Sequence, residues 1–133
     1  MRLTILATIL AALPLAAQHD SQPPVLTAIA AAPDNPICTA TTCPIVVTWS
    51  ATDNMSGVAA IHLSYTAPDG LAHADNTCTL TPANTVTNAT CTVTLPRFAQ
   101  AGPWQLTTAS LWDTAGNAAT AAIDLSPATI TVQ

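Results

Sequence analysis

The chain of 133 residues contains no glutamate and no lysine, and its only bases are Arg2 and Arg97. Charged residues make up 7% of it, against roughly 25% in ordinary soluble domains. Each gap removes a class of function. Nucleic-acid binding needs a basic stripe to neutralise phosphates, and none exists. Helical bundles and coiled coils lean on Glu, Lys, Leu and Arg, and two of these are missing. Without glutamate no His-Glu metal motif can be written. No G-x-S-x-G elbow is present either. The expectation is therefore a protein that is not an enzyme.

What is present is Ala and Thr, together over a third of the chain, with 11 prolines and seven acids that are all aspartate. Thr, Val and Ile favour strands, and the prolines oppose long helices. Residues 1–17 read as an export signal: Arg2, then an apolar run from Leu3 to Leu15, Pro14 near its end, and cleavage after Ala17. The alternative, an uncleaved anchor, needs roughly 20 apolar residues to span a bilayer, and the run is shorter. Residues 18–133 then form a single domain with no membrane span. It carries a formal charge of −6, with Arg97 as its one fixed cation. Such a domain is expected to be secreted, periplasmic or at a cell surface.

Cys38, Cys43, Cys78 and Cys91 all lie in the exported part, and an even count in a small secreted domain implies disulfides. Four cysteines allow three pairings. Cys38–Cys43 and Cys78–Cys91 are favoured, because each pair brackets a short polar segment.

The periodicity is that of short strands. Val25–Ala30 is the first. Ile45–Thr52 alternates, with Ile45, Val47, Trp49 and Ala51 inward. Val58–Thr66 places Ile61, Leu63 and Tyr65 inward. Cys78–Leu80 and Thr90–Leu95 are expected to form a hairpin around residues 82–88. In Pro103–Trp112 the parity breaks: Trp104 and Leu106 share a face, yet Ala109 and Leu111 need the other. A β-bulge near Thr107–Thr108 reconciles them. Thr129–Val132 closes the set. The fold class is all-β, an antiparallel β-sandwich of seven to eight strands stapled by disulfides.

Two segments carry a resemblance. Thr48-Trp49-Ser50-Ala51-Thr52-Asp53-Asn54-Met55-Ser56-Gly57-Val58 has the form strand, D-x-x-S-G-V, strand. Ala101-Gly102-Pro103-Trp104 is followed by Leu111-Trp112-Asp113-Thr114-Ala115-Gly116-Asn117, of the form A-G-x-W … D-x-A-G-N. Together they resemble bacterial immunoglobulin-like (Ig-like) domains of secreted and cell-surface proteins, over nearly all of residues 24–132. The resemblance implies a binding, adhesion or spacer role with a protein or glycan partner, and no fixed catalytic set.

Asp53, Asn54, Asp113 and Asn117 are the candidate metal ligands. The resemblance puts their two loops at one end of the sandwich, beside the N-terminal leader and Asp20. Calcium takes six to eight oxygens and favours carboxylates and carbonyls. The competing explanation is that these residues only form Asx turns on their own backbone. Copper is the other metal considered: cleavage after Gln18 would make His19 N-terminal, with His62 or His73 as partners. Trp112 lies opposite Leu111 in the alternation. It either faces out as a binding anchor or is covered by the segment 118–126. Asn54-Met55-Ser56 and Asn88-Ala89-Thr90 match the glycosylation acceptor pattern and are taken as chance.

Overall fold

The structure is a computed structural model that describes residues 18–39 and 41–133. The expected export segment, 1–17, lies outside the described residues. Eight strands form: β1 (Val25–Ala32), β2 (Cys43–Thr52), β3 (Val58–Thr66), β4 (His73–Asn84), β5 (Val86–Leu95), β6 (Gly102–Asp113), β7 (Ala118–Thr120) and β8 (Ile130–Val132). A short 3-10 helix, Ser126–Ala128, precedes β8. The expected all-β sandwich is what the chain builds. One sheet has the order β1-β2-β5, and the other β4-β3-β6-β7, with β8 also paired to β6.

Alternation decides which face each strand buries. Ile45, Val47, Trp49 and Ala51 of β2 are buried, as are Ile61, Leu63 and Tyr65 of β3 and Cys91, Val93 and Leu95 of β5. These inner faces meet in one core. In β6 the register against β3 slips between Ser64 and Tyr65, which leaves Thr107 as the extra residue. That bulge turns Trp104 and Leu106, before it, and Ala109 and Leu111, after it, to the same core. The Thr107 hydroxyl fills the break, donating to Ser64 O at 3.2 Å.

The expected hairpin between Cys78–Leu80 and Thr90–Leu95 does not form. β4 pairs with β3, Ile61 opposite Cys78, while β5 pairs with β2, Val47 opposite Cys91. The chain changes sheets at Thr85, mirroring the change that residues 53–57 make between β2 and β3. Both disulfides form as favoured, Cys38–Cys43 and Cys78–Cys91. The second therefore joins the two sheets at an open corner.

Register fixes what lies at each end of the sandwich. Val25 pairs with Thr52, Thr52 with Val86, Val58 with Asn84, and Val58 with Asp113. The leader before β1, the β2–β3 turn, the β4–β5 crossing and the β6–β7 turn therefore share one end. Arg97, between β5 and β6, is at the other. The 12 residues of β6 put the two ends roughly 35 Å apart.

Candidate metal centre

Three aspartates meet at the leader end. Asp20 comes from the leader, Asp53 from the first residue after β2 and Asp113 from the last residue of β6. One carboxylate oxygen from each lies within 4.8 Å of the others. Asp20 and Asp113 are buried, at 6% and 4% exposure, and Asp53 is half-buried.

Each carboxylate is held by neutral donors. Asp53 Oδ2 accepts from Met55 N at 3.0 Å and Gly57 N at 2.7 Å. This is an Asx turn, closed by Gly57 at φ +88°, a conformation that only glycine adopts without strain. Asp113 Oδ1 accepts from Asn117 N at 2.8 Å, and Oδ2 from Asn117 Nδ2 at 2.7 Å. Asp20 Oδ1 accepts from Gln22 N at 3.1 Å, and Oδ2 from Ser56 N at 2.9 Å. Ser56 first, and then Gln22, hold the Asp20 carboxyl below the usual carboxylate range.

None of these donors carries charge, so three acids converge without a counter-charge among them. One buried carboxylate oxygen at the cluster has no partner: Asp53 Oδ1 is out of contact with water and accepts nothing. A buried carboxylate oxygen left unpaired is costly. The donor set fits a hard cation: oxygen only, anionic, with lone pairs free.

The sequence candidates divide here. Asp53 and Asp113 are brought together. Asn117 lies behind them: its amide nitrogen donates to Asp113 and, at 3.2 Å, to Asp20 O. Both partners are acceptors, so the nitrogen rather than the oxygen must face them. Asn117 thus ties the leader to the β6–β7 turn and orients two acids. Asn54, in the β2–β3 turn, is exposed. The third carboxylate is Asp20, which the resemblance puts at this end with the leader and which the fold brings against Ser56. The turn itself is locked by Thr114, whose N donates to Gly57 O at 3.1 Å and whose hydroxyl donates to Ser56 O at 2.8 Å.

The histidines stand in three separate places. His19 is exposed beside Asp20. His62 is on the outer face of β3, with Nδ1 2.9 Å from Thr77 Oγ1. His73 begins β4 at the far end, paired with Thr66. Trp112 is half-buried on the outer face of its sheet, with Ala60 and Ala118 opposite it in the neighbouring strands.

In comparisons with protein families, curated proteins and solved structures, none matches the chain.

Proposed function

We propose that this chain is a non-catalytic module of the immunoglobulin-like sandwich type, working outside the cytoplasm, whose leader end is closed by a calcium ion. The observation that carries the metal is the convergence of Asp20, Asp53 and Asp113 around a buried, unpartnered Asp53 Oδ1. Asp20, Asp53 and Asp113 hold the ion, and water completes its shell. The ion neutralises the cluster and fastens the leader to both turns. Two disulfides support an oxidising compartment. Among the described residues no helix is long and apolar enough to cross a membrane.

The role is binding or adhesion at a cell surface, to a protein or glycan. Its support is the outer face of β1-β2-β5. There Ala28, Ala30, Thr48, Ser50, Thr90 and Thr92 make an uncharged surface on an otherwise acidic domain. Isothermal calorimetry with calcium tests the metal. Saturable binding, abolished by Asp113→Asn, is expected; heats that are the same for both proteins would overturn it.

A further inference from the structure

At the end opposite the three acids, three loops meet. They are the chain between β1 and β2, the turn between β3 and β4, and the loop between β5 and β6. Two hydrogen bonds lay them side by side. Phe98 N donates to Cys38 O at 2.6 Å, and Asp69 N donates to Gln100 Oε1 at 3.2 Å. Each loop holds one large apolar side chain in solvent: Ile37, Leu71 and Phe98 are 67%, 83% and 73% exposed. Phe98 is the only phenylalanine of the chain. Among the described residues it is also the only non-glycine residue at positive φ, +58°. It stands third in a turn closed by Ala99 N on Pro96 O, where glycine or asparagine is usual. A bulky side chain is strained there, and such strain persists only where the surroundings impose it. Here they do. The bond to Cys38 O fixes Phe98 against the Cys38–Cys43 loop, and Trp104 Nε1 donates to Gln100 O at 2.9 Å, two residues on.

We infer that this end is a membrane-docking tip whose occupant is a phospholipid bilayer, entered by Phe98, Leu71 and Ile37, with Arg97 at the lipid phosphates. Three features choose lipid. The apolar side chains stand on adjoining loops at one end, so one planar surface can receive all three. Next, the backbone donors around them are taken. The N–H groups of Asp69, Gly70, Leu71, Phe98 and Ala99 all bond within the tip, and Pro36, Pro68 and Pro96 have none. Backbone in that state tolerates an apolar medium. A glycan, which is held by hydrogen bonds, would find those donors occupied. The third feature is charge. Arg97, the one fixed cation of residues 18–133, has its guanidinium carbon 5.7 Å from the centre of the Phe98 ring. An aromatic ring with an arginine beside it suits the headgroup boundary, the ring inward and the cation at phosphate. The leader end makes the contrast: Val25, Met55 and Val86 are exposed there, but beside three acids. Asp34 and Asp69 lie at the tip as well, so apolar entry rather than net charge drives docking. Three side chains make it reversible. The inference does not depend on the metal, which sits at the other end.

The test is flotation of residues 18–133, disulfides formed, with vesicles of phosphatidylcholine and phosphatidylglycerol. That segment holds every strand and the whole core, and omitting 1–17 removes an apolar run that would bind lipid by itself. The parent is expected to float with the vesicles. Phe98→Gly removes the ring and suits the positive φ, so it stays folded, as its melting curve checks. Phe98→Gly and Leu71→Ser should each lower the partition coefficient about tenfold. Val86→Ser, at the leader end, should leave it unchanged. A parent that stays in the aqueous phase at the highest lipid concentration overturns the proposal, and is the result expected of a tip that serves a protein instead. So does flotation that Phe98→Gly and Leu71→Ser leave as it was, or that Val86→Ser weakens as much.

Discussion

Tyr65, on β3, donates its buried hydroxyl to the carbonyl of Ala128, 2.7 Å away and 63 residues later in the chain. The bond fastens the 3-10 helix to the five-stranded sheet, where no ladder reaches it. Burial pushes the phenol well above its ordinary value. A raised pKa means that the neutral form is favoured on folding. The stabilisation is therefore fully present below the unfolded pKa of about 10 and is lost as pH rises above it. Tyr65 is the only tyrosine. Phenolate absorbance should therefore appear together with loss of the circular dichroism signal of the folded state, not before it. Tyr65→Phe, which leaves the Ala128 carbonyl unpaired, should cost about 1–3 kcal/mol by urea denaturation.

Gly57 and Gly70 both have positive φ, yet they should respond differently to alanine. A Cβ at Gly57 would lie 3.0 Å from Asn84 N and 3.2 Å from Ala83 C, whereas one at Gly70 meets nothing. Gly70→Ala costs about 1–2 kcal/mol of left-handed strain. Gly57→Ala carries that strain and a backbone clash, in a turn that also positions Asp53. Urea denaturation of the two variants should show Gly57→Ala as clearly the worse.

Removing the Cys78–Cys91 bridge with paired alanines should cost about 3 kcal/mol in the chain-entropy model. Because the bridge spans two sheets rather than a hairpin, the loss should be local at first. Hydrogen exchange should quicken in β4 before β3, since β4 pairs with only one strand.

Acid should weaken the leader. Ser56 and Gln22 hold the Asp20 carboxyl below its ordinary range. A depressed pKa gives stability that is present above the unfolded value, about 3.9, and is lost as pH falls through the folded one. Protease cleavage within residues 18–24 should rise over that window in the parent. It should be fast and pH-independent there in Asp20→Ala.

These contrasts show what the sequence makes legible. Where residues are buried on one face, alternation suffices: the clash of parity between Leu106 and Ala109 announces the Thr107 bulge. Cysteine spacing announces both disulfides. Only Cys78–Leu80 of β4 is legible as a strand, and its pairing is not, because β4 is an edge strand, largely exposed; its HADNTCTLTPAN has few apolar residues to alternate, and it is a strand by virtue of pairing with β3. Asp53 and Asp113 are legible from their turn motifs. Asp20 is legible only through the resemblance, which puts the leader at this end; its partner Ser56 is 36 residues away and only the fold brings them together. Of the two asparagines, Asn54 is exposed, and Asn117 donates its amide N–H groups to Asp113 and to Asp20 O.

The most direct test of the central claim is a pair of thermal melts, one in chelator and one in excess calcium, on the parent and on Asp53→Asn. Calcium at about 100 times its dissociation constant adds about 2.7 kcal/mol, several degrees for a domain of this size. The account predicts that shift in the parent and its loss in Asp53→Asn. It also predicts that in chelator the variant melts no lower than the parent, because one of three converging charges is gone. Superimposable melts of the parent with and without calcium would contradict it, and would leave Asp20, Asp53 and Asp113 as formers of turns.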